Sequence, residues 1–403
     1  MYLNLFQTAL NIEDPWFIKN IEFAHESNQL DIWIDFKVGS KFDCPICNKP
    51  GCTAYDSKEK TWRHLNFFQY KTYLHCRVPR AECEICKPHQ VIVPWARELS
   101  GFTLLMDALI MLLSQNMQIS QVGNVIGETD KRIWRVVEHY VAEARSNEDY
   151  SAVSTIGVDE TSSKKGHKYI TVVADAEKSK IIYACEGKDS STITAFKANL
   201  EKHNGCVDSI DYVCCDMSPA FIKGVETEIP NASIIFDKFH VMKMINAAVD
   251  AVRRTEQSEN ALLKKTRYIW LKNPENLTKQ QAKKLKSLQD MNLKTAQAYH
   301  MKLGFKDFWG CDSHESAEQY LNEWYDWATN SKLEPMIDAA KSIKKHWDGI
   351  LNYHSLNMTN GLLEGVNSII QALKRTARGY RNTSNFITMI YLRLGKLNFN
   401  LSI

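Results

Sequence analysis

Residues 29–38 alternate strictly. Leu30, Ile32, Ile34, Phe36 and Val38 fall on one side, and Asp31, Trp33, Asp35 and Lys37 on the other. That period of two predicts a half-buried strand, paired through a Ser27-Asn28 turn with residues 21–24. A further strand-like run covers 71–78. From 102 to about 145 the period becomes helical. Helices are expected over 102–115 and 120–126, and a third begins after Gly127, capped by Thr129 or Asp130. In that third helix Ile133, Val136, Val137, Tyr140 and Val141 form an i, i+3, i+4, i+7, i+8 stripe.

Beyond Ser154 the pattern turns to β-branched runs at 155–158, 168–174 and 180–185. A helical stretch at 191–203, a run at 211–215, a helix at 219–228, a run at 232–236 and a helix at 239–254 follow. The order β-β-β-α-β-α-β-α matches a ribonuclease-H-like layout. Residues 255–347 are charged, helical and free of strand candidates, and they hold Trp270, Trp309, Trp324, Trp327 and Trp347. They read as a helical insertion, after which the strand-and-helix domain resumes with a helix near 361–373.

The expected fold is therefore multidomain α+β. An N-terminal β hairpin and zinc-ribbon domain takes 1–98, and a helix-turn-helix takes 99–150. A ribonuclease-H-like α/β catalytic core occupies 151–254 and 348–403, interrupted by the all-helical 255–347. The 403 residues allow several cores, and 44% hydrophobic with 24% charged residues is ordinary for a globular protein. A net charge of +3 is too small to identify a nucleic-acid partner, so any such case rests on local clusters. Glu13 and Asp14 interrupt any signal-peptide core, and Asp107 interrupts the most apolar stretch, 104–113. A cytoplasmic, non-membrane protein is expected. Eleven cysteines, scattered apart from two pairs, suit reduced thiols.

Those pairs are Cys44-x-x-Cys47 and Cys83-x-x-Cys86. Two such knuckles supply four thiolates to a tetrahedral Zn²⁺, which adds folding energy that a small β module lacks. His75, Cys76, His89 or Cys52 could replace one of the four. In the third helix Lys131, Arg132 and Arg135 lie off the apolar stripe near the N-terminus, where a recognition helix meets base edges and phosphates. An ordinary three-helix bundle with a solvated basic end is the plainer reading.

Three carboxylates remain. Asp159 and Asp216 each follow a β-branched run, the first and fourth of the series, and a parallel crossover would set both at neighbouring strand ends. Helix capping is the ordinary role of a strand-end Asp. It is weakened at Asp216 by the cap pair Ser218-Pro219, and it stays strong at Asp237. Glu364 lies nearly opposite the apolar stripe of Leu362, Leu363, Val366, Ile369, Ile370 and Leu373, so periodicity alone calls it solvated. It is, however, a lone acid among Lys374, Arg375, Arg378, Arg381, Arg393 and Lys396, cations that could hold DNA phosphate. Three acids suit a two-ion Mg²⁺ (or Mn²⁺) site.

Several stretches together carry a family resemblance. They are GVDETS from residue 157 with GHKY from 166, DMSPA from 216, PNA from 230 with FDKFHV from 236, and NGLLEGVN from 360 leading into KRTARGY. With the cysteine ribbon and helix-turn-helix, the chain resembles the ISL-three (ISL3) family of bacterial insertion-sequence transposases nearly end to end. The resemblance implies a D-D-E triad at Asp159, Asp216 and Glu364, Mg²⁺ dependence, and Asp237 and His240 as near-site residues. The hypothesis that follows has double-stranded DNA partners (the element's terminal inverted repeats and target DNA), phosphate clamping by Lys374, Arg375, Arg378 and Arg381 and, because two ends are cut, at least a homodimer in the active complex. Two rival classes remain: a sequence-specific DNA-binding regulator that keeps the fold without chemistry, and a nuclease of the same fold acting on RNA.

Overall fold

The computed structural model describes residues 2–164, 168–355 and 361–401. The chain forms two compact units, Met1–Ala144 with Asn398–Ile403, and Arg145–Leu397.

The first unit opens with helix α1 (Tyr2–Ala9) and carries strands β1 (Trp16–Ala24), β2 (Gln29–Phe36), β3 (Thr53–Arg63), β4 (Lys71–Glu82) and the short β5 (His89–Gln90). The sheet order is β1-β2-β4-β3 with β5 on β4. The hairpin expected around Ser27-Asn28 forms, with Ile21 opposite Ile32 and Ala24 opposite Gln29. The alternation of β2 holds through Ile34, since Leu30, Ile32 and Ile34 are buried among Trp16, Trp62, Leu74 and Trp95. It fails at the end. Val38 is fully exposed, whereas Asp35 is buried and accepts from Arg77 at 2.9 Å and Lys19 at 3.3 Å.

Helices α2 (Leu104–Ser114), α3 (Ile119–Ile126) and α4 (Asp130–Ser146) form the helix-turn-helix. Thr103 caps α2, and Asp107, fully buried, accepts from Arg97 Nε at 2.7 Å, so the charge within this apolar helix is paired. Gly127 ends α3 at φ +71, a left-handed position that favours glycine. At Gly123 a Cβ would stand 2.8 Å from the Glu128 carbonyl, so the turn between α3 and α4 needs glycine there. All five stripe residues of α4 are buried.

The second unit holds β6 (Thr155–Lys164), β7 (Lys168–Asp175), β8 (Lys180–Glu186), β9 (Tyr212–Cys215) and β10 (Ser233–Phe236), with α5 (Ser191–Lys202), α6 (Pro219–Glu228) and α7 (Lys238–Glu259). Its sheet order, β10-β9-β6-β7-β8, has β6, β7 and β8 antiparallel and β9 and β10 parallel to β6. This is the ribonuclease-H-like fold. Strand β6 runs six residues past the expected 155–158. Its far end is polar but not solvated, because Thr161 and Ser163 are buried.

Helix α7 continues five residues past the expected end and enters the insertion, where it packs against α10 (Lys294–Phe308) and α12 (Glu334–Lys345). The other insertion helices are α8 (Arg267–Leu271), α9 (Lys279–Gln289), α11 (His314–Thr329) and α13 (Trp347–Leu351), and no strand occurs there. Trp270, Tyr299, Phe305, Phe308 and Trp324 fill its core. Buried Lys302 donates to the carbonyls of Trp270, Leu271 and Lys272 at 3.1, 2.6 and 3.3 Å, closing the C-terminus of α8. The chain then forms α14 (Gly361–Thr376) and α15 (Thr383–Leu394). Helix α15 packs on β8, where Tyr391 Oη accepts from Ala184 N–H at 2.7 Å.

Candidate active site and zinc site

Strand register sets the central geometry. Strands β6 and β9 pair Thr155 with Tyr212 and Gly157 with Cys214, and β9 and β10 pair Tyr212 with Ser233 and Cys215 with Phe236. Asp216 and Asp237 directly follow β9 and β10, and Asp159 stands two residues past Gly157, the last residue of β6 paired with β9, so the three acids lie at the same end of three adjacent parallel strands. Neighbouring strands of a sheet lie about 4.8 Å apart in the hydrogen-bonding direction. Asp159 does not end its strand as expected from the sequence. It is mid-strand, opposite Val172, because β7 pairs with β6 well beyond the end of β9.

Asp159 is 8% exposed. Its Oδ1 accepts from Glu160 N–H at 2.6 Å, and its Oδ2 accepts from the Asn367 side-chain amide. Burial pushes its carboxyl up to about 6, against those hydrogen bonds and the nearby His240. Asp216 Oδ1 accepts from Ser218 N–H at 2.9 Å. Ser218 and Pro219 do occupy the cap and first-turn positions of α6, but the Ser218 side chain makes no cap bond. Asp237 caps α7 through Phe239 N–H at 2.9 Å, and its Oδ2 stands 3.2 Å from His240 Nδ1. That bond raises the imidazole pKa, opposed by burial and reinforced by the charges of Asp237, Asp159 and Asp216. Glu160, singled out by no sequence signal, is raised by burial and by Asp216.

Helix α14 is laid along β6 by polar side chains. Asn367 reaches Asp159, Gln371 Nε2 donates to Thr161 Oγ1 at 2.6 Å, and Lys374 Nζ donates to Ser162 O at 2.7 Å and Oγ at 2.9 Å. Position 364 lies one helical turn before Asn367 on this helix; the Glu364 side chain is outside the described residues. Periodicity alone called Glu364 solvated, a reading that lies outside the described side chains, whereas Asn367, Gln371 and Lys374 on the same side of α14 find partners on β6. Of the apolar stripe, Val366 and Ile370 are buried while Ile369 is 46% exposed. Asn367 and Gln371 were missed, and their spacing of three and seven residues after Glu364 was the available signal. Asn367 Oδ1 is buried and has no partner among the described residues.

The other basic residues divide into two kinds. Lys131, Arg135, Arg375, Arg378 and Arg381 are exposed. Lys374 is committed to Ser162. Arg132 is folded onto its own unit: it bonds Glu128, donates to Gly101 O at 3.0 Å and lies 4.1 Å above the Phe102 ring.

In the first unit the thiols of Cys44, Cys47, Cys83 and Cys86 lie within 4.8 Å of one another, and among the described residues no other group of three or more metal-ligating side chains converges this way. Each knuckle ends in a left-handed residue, Asn48 at φ 58 and Lys87 at φ 68, so the two loops fold alike. Backbone N–H groups of Cys86 and Ile85 lower the Cys83 thiol to about 6, which favours the thiolate that a metal needs. Three of the alternative ligands are engaged elsewhere, and the fourth, Cys52, stands beside Cys83 and Cys44. His75 Nε2 is 2.7 Å from Asp31 Oδ1, His89 Nε2 bonds Cys86 O at 2.7 Å, Cys76 is buried in β4, and Cys52 Sγ donates to Lys49 O at 3.5 Å. Four convergent sulfurs fit a structural Zn²⁺.

A zinc ribbon, a helix-turn-helix and a ribonuclease-H-like domain on one chain together define a transposase. Residues 156–390 match a family model described as transposase, residues 91–141 the helix-turn-helix domain of transposase family ISL3, and residues 40–86 the zinc-finger of transposase IS204/IS1001/IS1096/IS1165. The transposase model covers more than half of the chain, and the chain belongs to the ISL3 family. It is 26% identical to the transposase for insertion sequence element IS1557 of Mycobacterium tuberculosis, over 97% of this chain and 95% of that protein. It is 28% identical to the transposase for insertion sequence element IS1001 of Bordetella parapertussis, over 86% and 87%. Among the described residues no helix is long and apolar enough to cross a membrane.

Proposed function

We propose that this transposase binds the terminal inverted repeats of its own element and cuts and joins DNA at a site formed by Asp159, Asp216 and Glu364. The observation that carries this reading is the placement of Asp159 and Asp216 at the same end of adjacent parallel strands, with α14 tied to Asp159 one turn from Glu364. Buried Asp159 and the oxygen-only donor set fit hard divalent ions, Mg²⁺ or Mn²⁺. Such ions, when bound, supply Lewis-acid stabilisation to the attacking and leaving oxygens of an in-line displacement.

The chain's own groups do the rest. Asp159, Asp216 and Glu364 would hold the ions, and Asn367 fixes one oxygen of Asp159. Asp237 orients His240, which is biased toward its charged form beside the acids and faces them as a cation for phosphate. Water attack at the element end breaks a phosphodiester and frees a 3′-hydroxyl. That hydroxyl then attacks a target phosphodiester, forming one P–O bond as another breaks. Lys131 and Arg135 read the repeat, and Arg375, Arg378 and Arg381 contact phosphates near the site. Cutting at two ends calls for at least a dimer. Residues 1–98, 99–150, 151–254 with 348–403, and 255–347 act as ribbon, reader, catalytic core and insertion.

The test is Asp159→Asn on DNA carrying the element's ends with Mg²⁺. Cleavage should fall to background while repeat binding persists. Cleavage near the wild-type rate removes the assignment. Binding without metal-dependent nicking by the wild-type chain marks it as a regulator.

A further inference from the structure

The solvent face of α9 breaks the electrostatic rules of an isolated helix. Lys279, Lys283 and Lys286 fall at i, i+4 and i+7, opposite buried Leu285 and Leu288, and all three are exposed. Lys279 stands in the first turn, where the helix dipole disfavours a cation, and no acid occupies that turn. Like charges three and four residues apart repel along the row. The helix holds no acid at all, and no carboxylate pairs with these lysines among the described residues. A capping box from Thr278 and Gln281 keeps it wound despite this.

The surroundings extend the imbalance. Residues 260–294 carry nine lysines and arginines against two acids, in a chain whose whole net charge is +3. Within the same insertion, α11 shows the reverse, with Glu315, Glu318, Glu323 and Asp326 and no lysine or arginine. An ordinary solvated helix mixes both signs. Segregation at a cost in local stability marks a surface that meets an anion.

We infer that the α9 face of the insertion is a second DNA-contacting surface, one that grips the phosphate backbone of duplex DNA without reading sequence. A row of point charges on flexible stems, flanked by the neutral donor Gln280, suits phosphate oxygens and offers nothing shaped for base edges. This inference rests on the transposase reading for its partner, and its site lies apart from the strand acids in sequence and in element.

The experiment compares the full chain with the triple variant K279Q/K283Q/K286Q, using random-sequence duplex DNA across a range of salt concentrations. Each phosphate contact contributes about 0.9 to the slope of log affinity against log salt, so the variant should lose about 2–3 from that slope. Its affinity at moderate salt should drop about ten-fold or more. Its melting temperature should hold or rise, since the substitution removes repulsion. An unchanged slope, with the wild type still binding and cutting, overturns the surface and leaves the transposase reading intact. A changed molecular mass in light scattering with no change in slope overturns it in favour of contact with a second copy. No binding of any duplex by the wild type overturns both readings.

Discussion

The side-chain amide of Asn367 donates to Oδ2 of Asp159 across 208 residues of sequence. This bond, with those of Gln371 and Lys374, joins the helix that carries Glu364 to the strand that carries the first acid. It makes Asn367 a positioning residue for the proposed metal site. Outer partners of ligating carboxylates typically carry 10–100-fold in metal affinity. Asn367→Ala should therefore weaken Mn²⁺ binding, measured by calorimetry, by about that factor. An unchanged isotherm would show the bond to be packing alone.

Asp159 makes a prediction whose sign depends on pH. Its carboxyl, raised by burial to about 6, favours the folded state only when protonated. The stability it contributes is complete below pH 4 and is lost as pH rises through 6. The difference of about two pH units corresponds to about 2–3 kcal/mol. Without added Mg²⁺, Asp159→Asn should melt above the wild type at pH 7.5, and the gap should close near pH 4. Added Mg²⁺ should then raise the wild type and not the variant. A gap independent of pH would contradict this account.

The zinc ribbon predicts a loss of metal together with a loss of structure. Cys44→Ser should lower bound zinc from about one ion per chain and expose the ribbon to proteolysis, because the ligands supply folding energy. His75→Ala should leave zinc content unchanged, since its ring is engaged with Asp31. Zinc retained by Cys44→Ser would point to Cys52 as a replacement ligand.

The three cations of α4 should separate by role. Arg132→Ala removes a bond to buried Glu128 and a stacking contact with Phe102, so it should lower the melting temperature by the equivalent of about 1–2 kcal/mol. Lys131→Ala and Arg135→Ala should leave stability almost unchanged and weaken repeat binding. Equal effects of all three on DNA affinity, with none on melting, would place Arg132 in the groove as well.

Much of this architecture is legible in local pattern. Alternation at Leu30, Ile32 and Ile34, the stripe of α4 and the two C-x-x-C pairs each follow from near neighbours in sequence. Element order was enough to suggest the sheet, because a right-handed crossover leaves few topologies open. Helix α15 was not singled out. Phe386, Met389, Ile390, Tyr391, Leu392 and Leu394 are buried all round it, and a helix apolar on every side carries no stripe.

By itself the sequence marked the two C-x-x-C pairs, most of the elements and the candidate acids, through residue type, short spacing and family resemblance. Tertiary structure decided the strand pairing that brings Asp237 to the same end of the sheet as Asp159 and Asp216, because register is a relation between strands. It alone set Asn367, Gln371 and Lys374 against β6, because hydrogen-bond partners there made their partial burial favourable where periodicity could count only apolar surface.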